Sequence, residues 1–317
     1  MKKFMPTLLL MILSIFSIFI GVSDIALMDV LNLDIEKIYI VMMSRIPRLM
    51  SVILTGFGMS ICGLIMQQIS MNKFVSPTTG ATLDSAKLGL LVSMIMMPSA
   101  NIFTKTIFAF IFSLLGTFAF MRILGKIKMK GSIYIPLVGL MMGNLIGAFT
   151  SFLSYNFNLG QSVNSWMYGK FSLVVGGSYE LIYLVIPFIV IAFIYAKKFT
   201  LAGLGEDFSA SLGLNYKKVV NIGLVIVALV SAIILLISGS IPFIGLIVPN
   251  MVAVYKGDNL EKNIFTTGIV GSIFLLICDI FGRIVIFPYE IPIGLTVGVV
   301  GSAIFLGLLI RRRKYEG

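Results

Sequence analysis

Apolar runs long enough to cross a lipid bilayer recur from one end of this 317-residue chain to the other. A helix that crosses a membrane needs about 20 mostly apolar residues. Charged residues make up only 12% of the chain, whereas a soluble domain typically carries about 25%. We therefore predict an all-α polytopic membrane protein with a single transmembrane domain over residues 1–317. About ten spans are predicted, at residues 4–21, 48–67, 83–98, 102–124, 132–154, 179–196, 218–238, 243–255, 264–286 and 291–310.

One predicted span is too irregular for a continuous helix. Residues 239–255 contain Pro242, Gly245 and Pro249, and an internal proline removes a helix hydrogen bond. Backbone groups that are freed at membrane depth are tolerated only where they are buried in protein or line a cavity. A broken helix is therefore predicted here, and this feature disfavours a membrane scaffold that transports nothing.

The distribution of basic residues predicts the orientation of the chain. If the N-terminus is cytoplasmic, ten crossings place eighteen Lys and Arg residues, including Lys87, on the cytoplasmic side and six on the outer side. Because Lys and Arg collect in cytoplasmic loops, we predict that both termini are cytoplasmic. Arg45 and Arg48 then lie on the outer side at the start of a span, where positive charge is scarce.

Several function classes are disfavoured by what the sequence lacks. It contains no GxxxxGK[ST] loop for ATP, no histidine, and two cysteines, Cys62 and Cys278, that both lie in apolar runs. We therefore predict no catalytic residue, no metal site and no directly bound cofactor, and any ATP would be used by a partner subunit. The basic residues are spread over many short loops, which disfavours nucleic-acid binding.

Small and polar residues at helical spacing mark two candidate linings of a translocation path. The two stripes are Gly56, Ser60, Gly63 and Gln67, and Asn144, Ala148, Ser151 and Tyr155. Polar side chains at membrane depth usually face the bundle interior or water, although small residues four apart also serve close helix packing. The predicted path residues are Ser60, Gln67, Asn144, Ser151 and Tyr155. Neither stripe carries a charge, which suits a bulky polar solute better than a bare ion.

Two further patterns allow more than one interpretation. Asp279 and Arg283 are four residues apart, a spacing at which an acid and a base pair along a helix; the pair is either structural or functional. The segment Ala202–Lys218 places Leu204, Phe208 and Leu212 on one face of a short polar helix. That apolar face either lies on the membrane surface or docks onto a partner protein.

Four ordered segments carry a resemblance to a known family. They are "SRIPRLMSVILTGFGMSICGLIMQQISMNKFVSP", "LGEDFSASLGLN", "SGSIPFIGLIVPNMV" and "CDIFGRIVIFPYEIPIGLTVGVVGSAIFLGLLIRRR". Their order and spacing resemble the FecCD-type permease subunits of ABC importers for iron–siderophore complexes, haem and vitamin B12. The resemblance extends over residues 40–313, about seven-eighths of the chain.

The resemblance implies a type II ABC importer permease fold with ten helices in a bacterial plasma membrane. It also implies a second permease, as a homo- or heterodimer, a pair of cytoplasmic ABC ATPases and an extracytoplasmic binding protein that delivers a ferric siderophore. Arg45, Arg48 and Arg283 match arginines that accept glutamates of the binding protein. The residues that match the family's ATPase-coupling loop, which spans about 199–218, are Leu204, Gly205, Glu206, Asp207, Phe208, Leu212 and Gly213.

Departures from the family pattern bear on the substrate. Asn250 stands where the family usually has histidine, and asparagine does not titrate. The segment Asn72–Pro77 and the residues after it resemble the branch that serves catecholate or petrobactin-like siderophores. A ferric-siderophore permease is therefore the predicted function. A haem or cobalamin permease is the alternative within the family, and a self-sufficient secondary transporter is the alternative of another class.

Overall fold

The computed structural model describes residues 5–21, 34–77, 81–126, 134–177 and 179–316, and all of their regular structure is helical. We label the helices in chain order. They are α1 (Met5–Phe19), α2 (Ile35–Ile69), α3 (Thr82–Met96), α4 (Ile102–Lys126), α5 (Tyr134–Asn156), α6 (Gly160–Met167), α7 (Glu180–Ala202), α8 (Glu206–Ser211), α9 (Tyr216–Ser238), α10 (Ile244–Lys256), α11 (Leu260–Ile284) and α12 (Ile293–Glu316). The predicted all-α class is confirmed.

Six of these helices are long and apolar enough to cross a membrane: α2, α4, α5, α7, α9 and α11. Three shorter apolar helices accompany them, Met5–Phe19, Ile244–Lys256 and Ile293–Leu308. These lengths confirm a multi-pass membrane protein. Four of the basic residues used to predict its orientation, Lys2, Lys3, Lys128 and Lys130, lie outside the described residues.

The bundle has two ends, which we name by their residues. At the arginine end, Arg45, Arg48 and Arg283 lie together near the end of α1. At the α8 end, α2 finishes at Ile69 and the short helix α8 follows α7.

Helix α2 is the centre of the bundle, and most of its residues are buried. Gly56 lies against the backbone of Gly271 on α11, since a Cβ atom built on Gly56 would stand 2.6 Å from the Gly271 carbonyl oxygen. Gly63 makes the same kind of contact with Gly245 on α10. Small residues let helix backbones approach this closely. The two glycines of α2 therefore fix where α10 and α11 cross it.

Helix α10 is partial, as the prolines predict. It begins only at Ile244, after the left-handed backbone of Phe243, and it contains Pro249. Pro249 has no N–H to offer the carbonyl four residues earlier, that of Gly245. The side-chain amide of Gln67 on α2 donates to this carbonyl at 3.4 Å and to that of Leu246 at 3.2 Å. A side chain from α2 thus replaces the hydrogen bond that the proline removes.

Helix α3 begins beside the middle of α4 and of α5. Its Asp84 reaches Gly143, about 14 Å along α5 from Tyr134. Its Ser85 lies against Gly116, about 15 Å along α4 from Lys126. Two independent contacts therefore place the start of α3 beside the middle of a long apolar helix.

One residue counted on the cytoplasmic side in the predicted orientation, Lys87, lies in the second turn of α3. The link from α2 to α3 contacts the interior of the bundle, since Pro77 lies against Gly245 on α10.

The backbone contact at Gly63 generates a test of the packing. We expect Gly63→Ala to lower the free energy of unfolding by more than the roughly 1–3 kcal/mol typical of overpacking, because the new methyl group would meet the Gly245 carbonyl. Thermal unfolding in detergent measures the effect. Gly307→Ala on α12 is the matched control, since nothing lies within 4 Å of its added Cβ. Equal unfolding temperatures for the two variants would contradict the close crossing.

Candidate functional site

Arg48 is the hub of a charged cluster at the arginine end. Its guanidinium donates to Asp279 Oδ1 from Nε at 3.2 Å and from Nη2 at 2.8 Å. Nη1 donates to both carboxylate oxygens of Glu290, at 2.7 and 2.9 Å. One guanidinium therefore joins α2 to α11 and to the segment between α11 and α12, through charge-assisted hydrogen bonds.

The other two arginines hold the end of α1. Arg283 donates from Nη1 to the backbone carbonyls of Ser17 at 3.0 Å and Ile20 at 2.9 Å, and its Nη2 lies 2.8 Å from Asp279 Oδ2. Arg45 also donates to the Ile20 carbonyl. The last carbonyls of a helix lack partners within the helix, and cations are favourable there. The two guanidinium groups thus cap α1.

The cluster brings together the three arginines that the resemblance assigns to docking, but each one already has partners within the chain. Arg45 is 8% exposed and Arg283 is 3% exposed, while the side chain of Arg48 is 12% exposed. This burial argues against direct contact of Arg45 or Arg283 with an incoming protein in this conformation. Sequence reasoning found Asp279 but missed Glu290, whose only signal is an acid in the short link that precedes α12.

The α8 loop, residues 203–215 between α7 and α9, presents an apolar surface at the opposite end. Leu204 and Leu212 are each 56% exposed and Phe208 is 52% exposed. Glu206 and Asp207 lie in the first turn of α8. The predicted apolar stripe is therefore present in this chain and is uncovered.

Local geometry holds this loop in place. Ser209 is buried, and its hydroxyl donates to the backbone carbonyls of Leu201 at 2.8 Å and Gly205 at 2.6 Å. Gly205 and Gly213 bound α8 with positive φ angles of 103° and 75°, which residues with a Cβ rarely adopt. These contacts fix α8 against the end of α7, and the side chains of Leu204, Phe208 and Leu212 stay exposed.

The stripe on α5 is exposed. Asn144 and Ser151 are exposed, and Tyr155 is 83% exposed. At 3.6 residues per turn these positions share one edge of the helix, and the edge beside it carries exposed apolar residues such as Leu145 and Phe152. This edge is free to line a space between α5 and another molecule.

The stripe on α2 has a different environment. Ser60 is fully buried against Gly271 of α11, and Gln67, 8% exposed, serves the carbonyls of Gly245 and Leu246. In this conformation Ser60 contributes to helix packing, whereas Gln67 also borders a cavity at the α8 end of the bundle. Small residues at this spacing also allow close helix packing, and the glycines of this stripe pack in that way.

A cavity of about 200 Å³ opens at the α8 end of the bundle, between α2, α10 and α11. Gln68, Lys73, Asp258 and Thr267 contribute to its lining. The carbonyl of Lys73 and that of Leu246 accept hydrogen bonds from Asn250 Nδ2, at 2.8 and 2.7 Å. Asn250 therefore ties the link after α2 to α10 without a titratable group.

Sequence reasoning missed one charged residue in the bundle. Asp84, in the first turn of α3, lies beside Gly143 and Gly147 of α5. The available signal was an acid inside a predicted span, residues 83–98. It was overlooked because the acid stands close to the predicted end of that span, where charges are common.

The helical bundle, with six helices long and apolar enough to cross a membrane, defines a multi-pass membrane protein. Residues 9–311 match the model of the FecCD transport family. The chain therefore belongs to the FecCD transport family.

Individual relatives cover nearly the whole chain. It is 54% identical over 308 residues to the petrobactin import system permease protein YclN of Bacillus subtilis, covering 97% of this chain and 98% of that protein. It is 38% identical to the ferric-anguibactin transport system permease protein FatD of Vibrio anguillarum, covering 94% of this chain and 95% of the relative.

A solved structure described as an inward-facing conformation of a metal-chelate type ABC transporter shares the fold. The TM-score is 0.87 over 97% of this chain and 98% of that chain, at 22% sequence identity.

The arginine cluster generates a stability prediction. We expect Asp279→Asn to lower the free energy of unfolding by about 3–5 kcal/mol, as breaking a buried ion pair does, because Arg48 and Arg283 both lose their shared carboxylate. Denaturation in detergent measures the loss. Asp258→Asn is the matched control: it breaks the exposed pair with Lys73 and should cost about 0–1 kcal/mol. Similar losses in both variants would contradict a buried network.

Proposed function

We propose that this chain is the membrane-spanning permease subunit of an ABC importer that carries ferric-siderophore complexes across the plasma membrane of a bacterium. The observation that carries the proposal is the 54% identity to a petrobactin import permease over 97% of the chain. The solute passes from a binding protein into a space between two permeases. A separate ATPase supplies the energy, because the sequence has no phosphate-binding loop of its own.

The proposed topology has ten crossings with both termini in the cytoplasm. The six long apolar helices supply six crossings, and the shorter helices α1, α3, α10 and α12 supply four. Helices α6 and α8 remain outside the membrane. Lys197, Lys198, Lys217 and Lys218 flank the α8 loop, and this concentration of positive charge supports a cytoplasmic α8 end.

The α8 loop is the proposed contact with the ATPase. A set of exposed apolar side chains on a fixed projection suits burial in a cleft of a partner protein. The three apolar residues provide the contact area, while Gly205 and Gly213 fix the angle at which α8 leaves the bundle. Glu206 and Asp207 supply negative charge at the edge of the same surface.

Of the three predicted docking arginines, we propose that Arg48 contacts the binding protein directly. Arg48 is the most exposed of the three side chains and lies next to Glu290, whose side chain is 26% exposed. Arg45 and Arg283 position Arg48 indirectly, because they fix α1 against α2 and α11.

The proposed path follows the polar edge of α5. Asn144, Ser151 and Tyr155 remain candidates because they are exposed in the single chain. Ser60 and Gln67 also stay candidates: both are buried between helices in the single chain, and Gln67 borders the cavity at the α8 end. A path with exposed polar groups on one edge of a helix suits a bulky polar solute.

An uptake panel tests the substrate class. In a bacterial strain that lacks this gene, we expect plasmid-borne expression of the chain to restore uptake of a labelled ferric siderophore and not of haem or cobalamin. Restored haem or cobalamin uptake alone would favour the other branch of the family. Transport by the purified chain alone in vesicles with an ion gradient would instead support a secondary transporter and overturn the importer proposal.

Substitutions in the α8 loop test the coupling role. We expect Phe208→Asp combined with Leu212→Asp to reduce co-purification of the ATPase more than about tenfold, because a charge replaces each of two buried contacts in the complex. The amount of permease in the membrane should stay unchanged, since both side chains are exposed in the isolated chain. Ser211→Asp, on the same helix and also exposed, is the matched control. Unchanged co-purification in the double variant would contradict docking through α8.

A further inference from the structure

The carboxylate of Asp84 lies beside the middle of α5 and forms no ion pair with another described residue. A Cβ atom built on Gly143 would stand 2.6 Å from Asp84 Oδ2, and this contact puts the carboxylate about 14 Å along α5 from Tyr134. Within the described residues its oxygens form no ion pair and no hydrogen bond except with the backbone N–H of Asp84 itself. Asp84 is partly exposed, so the carboxylate opens onto space outside its own helix.

If Asp84 had only a structural role, its carboxylate would be expected to have a charged or hydrogen-bonding partner. A charged side chain at the bilayer centre costs on the order of 3 kcal/mol or more. Asp279, a buried acid among the described residues, is held between Arg48 and Arg283. The Lys87 ammonium attracts Asp84 from the next turn of α3 but forms no ion pair with it. The free carboxylate therefore requires water or a ligand group.

The neighbouring face of α5 leaves room for such a ligand. Asp84 lies over Gly143 and Gly147, where α5 has no side chains. One residue farther round the helix are the exposed positions Asn144 and Ala148, which belong to the polar edge of α5. The carboxylate thus borders the surface that the proposed path follows.

We propose that Asp84 is a solute-contacting residue that binds a cationic group, a protonated amine, carried by the ferric siderophore. The inference rests on the proposed function and adds one feature of the solute. Together, Asp84 and Lys87 give this part of the path no net charge, so it does not repel an anionic ferric chelate. The Asp84 carboxylate accepts charge-assisted hydrogen bonds from the amine as the solute passes.

Two ferric siderophores that differ only in one amine, free in one and acetylated in the other, test the assignment. The measured quantity is the maximal uptake rate in cells that carry the complete importer, because a binding protein sets the half-saturating concentration. We expect Asp84→Asn to lower the rate for the free-amine compound about tenfold, as loss of a hydrogen bond to a charged group does, and to leave the acetylated compound unaffected. Asp84→Glu should restore part of the difference. Glu261→Gln, an exposed acid in the first turn of α11, is the matched control.

The other outcomes overturn the proposal. An equal loss for both siderophores would assign Asp84 a structural or gating role, as would absence of the Asn variant from the membrane while the Glu variant is present. Unchanged rates for both compounds would show that the solute does not meet Asp84. If wild-type cells take up neither ferric siderophore, the proposed function itself fails, and this result is distinguished by the wild-type arm alone.

Discussion

Backbone contact along α2 is the constraint on which the rest of the structure depends. A lipid environment provides little hydrophobic drive between helices, so association relies on close packing and on internal hydrogen bonds. The glycines at positions 56 and 63 let α11 and α10 approach α2 at backbone distance. These crossings place Gln67 where it satisfies the carbonyl that Pro249 leaves free. They also place Arg48 within reach of Asp279, which lies 231 residues away in sequence.

The charged cluster and the glycine contacts constrain different features of α2. The glycines set the distance between α2 and its neighbours, whereas the arginines set the position of α2 along the axis of α11. Asp279 serves both Arg48 and Arg283, so a single carboxylate fixes the register of α2 relative to α11. A buried network of this kind is sensitive to the loss of one member, because the remaining charges cannot be hydrated.

The helical class, the broken helix at residues 239–255 and the apolar stripe on α8 could be predicted from the sequence, because each depends on a local pattern of residues. It also gave the Asp279–Arg283 pair, since the spacing is set by one helix. It did not show that the stripe of Ser60 and Gln67 is buried, because helical periodicity defines a face but not what covers it. The position of Asp84 beside the middle of α5 could not be predicted either, since it depends on how the link after α2 folds back towards Gly245.

The capping of α1 has a consequence for the order in which the chain is built. Its last carbonyls are bound by Arg45 and by Arg283, a residue 266 positions after Ser17 in the chain. During synthesis the Ile20 carbonyl can meet Arg45 early, whereas the Ser17 carbonyl gains its partner only after α11 has been made. Removal of α11 would leave the end of α1 without half of its capping groups. Helix α1 thus completes its hydrogen bonding only with a residue that is made 266 positions later.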